Sequence, residues 1–183
     1  SLRPNYVPAM HVLADYLPGI GKRDEAIRMI ERAIALDPLS AVLYGKRAAI
    51  LEDMGRFESA RTSYLKSMEI DPDSPTGPAG LANLDAYVFR KLDLGLTEAR
   101  KASELDSGNP LYLNLLTVIN QDIGFSEKSI ETARRLYTKY GQEYSCTLSF
   151  AELFAGNAKE SQRLSQKVPG YSCDKYWLMR NGM

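Results

Sequence analysis

The chain has 183 residues, 44% of them hydrophobic and 25% charged, a composition that fills a core and makes disorder the wrong starting point. Its 23 basic and 23 acidic side chains cancel, so no overall field draws it to nucleic acid or to an anionic membrane. No apolar stretch approaches the roughly 20 residues that span a bilayer, so no membrane insertion by this chain is expected.

Ser1 rather than Met opens the chain, which suggests a fragment or a processed form, and no charged-then-apolar leader follows. The first helical stripe is Met10, Leu13, Ala14 and Leu17, and it breaks at Gly21. A second stripe of Ala26, Ile30, Ala33 and Leu36 stops at Asp37-Pro38. The same order then returns: Tyr44, Ala48 and Leu51, a break at Gly55, and Phe57, Ala60, Tyr64, Ser67 and Ile70 before Asp71-Pro72. Spacings of three and four residues put each set on one helix face. Glycine at the breaks predicts left-handed helix endings. Proline disfavours helical backbone at the aspartate before it, which sharpens each stop. Asp37 and Asp71 are 34 residues apart, so the unit is a helix–turn–helix repeated in register.

Further on, the units degrade. The third covers 75–109; its first helix is expected to start near Pro78 and run through Leu81, Leu84 and Val88. Asp106 follows Asp71 by 35 residues, so one residue is inserted, and the expected turn near Lys91–Leu94 has no glycine in register. The fourth, 110–142, carries Leu113, Leu116 and Thr117, then Gly124, then Ile130, Ala133, Leu136 and Tyr137. The fifth, 143–168, is expected as helices over Glu143–Ala155 and Ala158–Val168, broken at Gly156-Asn157.

Residues 7–40 and 41–74 resemble the tetratricopeptide repeat, a 34-residue helix–turn–helix. The resemblance implies an all-α, right-handed superhelical solenoid of four to five antiparallel helix pairs over residues 1–168, with 169–183 as a C-terminal capping segment. Stacked neighbours would complete the core that one pair cannot bury alone. The resemblance also implies that first helices line a concave groove that holds a peptide segment of a partner protein. The matching positions are His11, Asp15, Gly45, Ala49, Glu52, Asp53, Asn114, Val118, Gln121 and Asp122, with Gly80, Leu84 and Tyr87 from the third unit. Gly45, Ala49 and Gly80 read as a small-residue floor. The carboxylates of Asp15, Glu52, Asp53 and Asp122 point to a partner carrying Lys or Arg, unless they are merely solvated. The carboxylate clamp of the family's chaperone adaptors lacks its bases here, where Gly45, Ala49, Gly77 and Leu81 stand and Lys46 is the nearest base.

Catalysis finds little support in the residues. His11 is the one histidine, and no phosphate loop, nucleophile elbow or zinc-protease motif appears. No catalytic residue, metal site or cofactor is therefore expected. The two cysteines, Cys146 and Cys173, fall at helix ends on the same side of an antiparallel pair, so a disulfide is geometrically feasible. It would close a span worth about 3.5 kcal/mol in the chain-entropy model and would imply an oxidising compartment such as a periplasm; two free thiols in a cytoplasmic protein are the alternative. Tyr171, Tyr176, Trp177, Leu178 and Met179 in the tail read as a cap on the last pair, or as a docking patch. The expected function is a non-enzymatic protein-interaction module. The alternatives are a regulatory or sensory domain of a larger membrane-anchored bacterial protein, or an accessory domain of an enzyme.

Overall fold

The computed structural model describes residues 7–166 and Cys173. Regular structure among them is helical throughout, and it divides into two compact units, Ser1–Leu105 and Asp106–Met183.

In the first unit α1 spans Val7–Tyr16 and tightens into a 3₁₀ turn over Leu17–Ile20, where Pro18 lacks the N–H that would continue the helix. Gly21 then turns the chain in the left-handed region at φ 77°, and Gly55 does the same at φ 71° after α3. The remaining helices are α2 Arg23–Leu36, α3 Ala41–Asp53, α4 Phe57–Ile70, α5 Thr76–Asn83 and α6 Leu92–Leu105. Asp37 and Asp71 close α2 and α4 with extended backbone at φ −138° and −134°, as the following prolines require. Consecutive helices pack as neighbours through α1 to α6. Ala26, Ala33, Ala48 and Ala60 are fully buried where helices approach, and Ile30, Leu51 and Leu84 fill the space between them.

The third pair departs from the expected layout. Helix α5 starts at Thr76, two residues before Pro78; proline fits there because the first turn's N–H groups have no intrahelical partner. The inserted residue is absorbed as a π-helical turn over Leu84–Val88, the usual way a helix accommodates one extra residue. The chain then turns at Arg90, φ 58°, which stands where other turns place glycine. The turn thus precedes the Lys91–Leu94 stretch in which it was expected.

The second unit contains α7 Pro110–Ile123, α8 Ser126–Tyr140, α9 Ser145–Phe154 and α10 Ala158–Ser165. A 3₁₀ turn over Gln142–Tyr144 delays the start of α9 by two residues from the expected Glu143. The expected end of α10 at Val168 lies outside the described residues, as does the capping segment 169–183 apart from Cys173. Asn109 caps α7 by accepting from the Leu111 N–H at 3.0 Å, with Pro110 in the first helical position. Ala133, Leu148, Ala151 and Leu164 form the apolar centre of this unit. A buried hydroxyl pair joins α7 to α8: Thr132 accepts from the Thr117 hydroxyl at 2.8 Å and donates to the Lys128 carbonyl at 3.0 Å. Among the described residues no helix is long and apolar enough to cross a membrane.

Candidate functional site

Helix α3 carries Lys46, Ala49 and Asp53 at spacings of three and four, so the three share one face. Opposite them stand Ala14 and Asp15 at the end of α1, Pro18 and Gly19 in the 3₁₀ turn, and Arg23 at the start of α2. Together with Ile50 these residues line an open cleft of about 540 Å³. Two ion pairs cross it. Lys46 Nζ donates to Asp15 Oδ2 at 2.6 Å, and Arg23 Nε donates to Asp53 Oδ2. All four charged side chains keep contact with water, Lys46 least at 27% exposure, and Ala49 between them is exposed.

Of the expected groove residues, Asp15, Ala49 and Asp53 are thus brought together. The carboxylates that pointed to a partner carrying Lys or Arg are not free in this cleft: Asp15 is paired with Lys46 and Asp53 with Arg23. Glu52 is also withdrawn from the face: it is half-buried and accepts the Tyr64 hydroxyl. Burial pushes its carboxyl above the usual range, partly offset by that hydrogen bond. The same burial, reinforced by Glu52, raises the Tyr64 phenol well above its ordinary value.

The small-residue floor is corrected as well. Gly80 is buried, and a methyl group there would lie 2.2–2.4 Å from the Tyr64 ring; the ring of α4 already occupies the space. Gly45 is buried beneath Thr76, whose Cγ2 would stand 3.0 Å from an added Cβ. Gly80 seats the Tyr64 ring of the preceding helix and Gly45 the Thr76 side chain of α5, so neither leaves room for a ligand side chain. Leu84 is fully buried in the core. His11 is half-buried, with a buried Nε2 that has no hydrogen-bond partner. Tyr87 is exposed on the π-helical turn.

In the second unit the expected positions lie along α7. Asn114 Oδ1 accepts from Thr147 Oγ1 of α9 at 3.2 Å, Val118 and Gln121 are half-buried and Asp122 is exposed. Cys146 and Cys173 are joined as a disulfide, with Cα atoms 5.3 Å apart, against Phe150. Among the described residues no group of three or more His, Cys, Asp or Glu side chains is gathered as a metal would need.

Two residues of the cleft were missed in the sequence. Arg23 begins a second helix, so a search confined to first helices passes over it. Lys46 was visible as the nearest base, yet its pairing with Asp15 crosses two repeats and carries no local signal. A further group also escaped notice. Asp85, 3% exposed, has its Oδ1 3.5 Å from Arg61 Nε. Across from it Glu98 of α6 holds a buried, unbonded Oε2.

Comparison with known proteins agrees with the fold. The family model of the tetratricopeptide repeat matches residues 41–74. No curated protein matches the sequence. A thermophilic tetratricopeptide protein of Thermus thermophilus superposes with a TM-score of 0.73 at 16% identity, over 88% of this chain and 89% of its own. PilW, a widely conserved type IV pilus biogenesis factor, gives 0.78 at 16% identity, over 88% and 75%. YrrB, a tetratricopeptide protein with an unusual peptide-binding site, gives 0.69 at 11% identity, over 96% and 93%. At these identities the likeness is one of fold.

Proposed function

We propose that this chain, a helical repeat protein of the tetratricopeptide kind, is a non-catalytic assembly module that holds a segment of another protein against the α1–α3 face of its first unit. One observation carries this reading: the cleft between α1 and α3 stays open and exposes Ala49, whereas the neighbouring small residues Gly45 and Gly80 are closed by Thr76 and Tyr64. An open concave site with an apolar floor and a few charged groups is what a segment of chain can occupy. The likeness to YrrB, described as having a peptide-binding site, supports the same use. The chemistry on offer is ion pairing and apolar contact, which bind and orient. The expected basic partner fits less well, since Lys46 and Arg23 stand beside the acids it would seek.

Substituting Ala49→Trp fills the cleft from an exposed helix position at a propensity cost of under about 1 kcal/mol. The variant should melt close to wild type and lose, in a lysate pull-down, a protein that wild type retains. Equal retention by a folded Ala49→Trp variant would remove the face from consideration.

A further inference from the structure

Within the first unit, equivalent positions of successive first helices stand 34 residues apart. On α5, Gly77 and Gly80 lie against Met68 and Tyr64 of α4, and Leu81 and Leu84 of the same stripe are buried. On α3 the same positions are Leu43, Lys46, Arg47 and Ile50. Leu43 and Ile50 are buried, and Arg47 donates to Glu31 of α2 at 3.4 Å. Each of these first helices thus turns one stripe towards the second helix before it.

On α1 that stripe is Ala9, Val12, Leu13 and Tyr16. Ala9 is half-buried, whereas Val12 is 65%, Leu13 47% and Tyr16 65% exposed. The outer face of a terminal unit is ordinarily polar, because it meets water. This one bears no charge and keeps large apolar side chains, as a covered stripe does. None of the four residues lines the α1–α3 cleft.

We propose that this stripe of α1 docks an amphipathic α-helix of a partner protein, laid against it as α2 lies against α3 and α4 against α5. It is a second surface, separate from the cleft. The array itself supplies the pattern of the docked helix. Glu31 of α2 reaches α3, and Ile27 and Ile34, four residues before it and three after, share its side of the helix. Leu13 stands where α3 has Arg47, so an acid at the position of Glu31 would meet leucine and lose its partner. The docked helix therefore carries an aliphatic residue there, between two others, over the two turns from Ala9 to Tyr16.

The test uses fluorescent, hydrocarbon-stapled peptides of the α2 sequence, Arg23–Leu36, because a free helix of 14 residues is marginal in water. One keeps Glu31 and the other carries Glu31→Leu. Anisotropy titrations against the full chain should show saturable binding of the Glu31→Leu peptide, at least about tenfold tighter than its parent. Leu13→Lys/Tyr16→Lys, both at exposed positions, should melt near wild type and abolish that binding, and Ala49→Trp should leave it unchanged. No binding, equal binding of the two peptides, or binding that survives the double substitution would overturn the proposal. Loss of binding in Ala49→Trp alone would overturn it too, by moving the peptide to the cleft. So would a wild-type dimer in sedimentation equilibrium that Leu13→Lys/Tyr16→Lys makes monomeric, since a second copy would then cover the stripe.

Discussion

Tyr64 lies over Gly80 with its hydroxyl bound to Glu52, so ring and carboxylate lock each other in place. Replacing glycine by alanine inside a helix ordinarily gains up to about 1 kcal/mol. Here the added methyl would press on a ring that cannot swing away, and overpacking of this type costs about 1–3 kcal/mol. Gly80→Ala is therefore expected to destabilise, read as a lower denaturation midpoint; a gain in stability would mean that the ring is free to move. Glu98 offers a second residue-scale test. Burial raises its carboxyl; Lys101 opposes that, Asp85 adds to it and Arg61 opposes it. Since the folded chain then binds this proton more tightly than the unfolded one, the associated stability is present below the unfolded value and lost as pH rises through the raised one. Glu98→Gln stays uncharged, so it should be the more stable form at neutral pH, with the difference closing towards pH 4 in parallel urea melts. A less stable Glu98→Gln at neutral pH would show that the ionised carboxylate is held by Arg61 and Lys101 after all.

At the scale of elements, the turn at Arg90 marks where the repeat was stretched. A left-handed conformation is strained for arginine and free for glycine, so Arg90→Gly should stabilise the first unit by roughly 1 kcal/mol, measured as a raised denaturation midpoint. No gain would mean that the Arg90 side chain offsets its own backbone strain. Helix positions and most turns were legible in the sequence because they rest on local chemistry: apolar spacing, glycine at the breaks and Asp-Pro at the stops. The π-helical turn was legible only as a surplus residue. Where a helix takes up an insertion depends on which phase buries Leu84 and Asp85 against neighbouring helices, and no local pattern states that. The site was less legible for the same reason. Asp15, Ala49 and Asp53 could be placed on a face by period alone. Whether Gly45 and Gly80 were open or filled depended on Thr76 and Tyr64, side chains from the preceding or following helices.

For the whole molecule, balanced charge is repeated in miniature at the cleft, where pairing across α1, α2 and α3 replaces a field of one sign. The fold is that of tetratricopeptide arrays, in which one scaffold serves many ligands and the exposed first-helix positions carry the difference. The proposed function stands or falls on binding at the α1–α3 face. Its most direct measurement is photocrosslinking in lysate with a benzophenone amino acid placed at Ala49, and separately at Glu58, an exposed position on α4. Binding in the cleft predicts a discrete adduct from Ala49, absent from Glu58 and suppressed when unlabelled wild-type protein is added in excess. An adduct from Glu58 with none from Ala49 would contradict it and move the binding surface to the second helices.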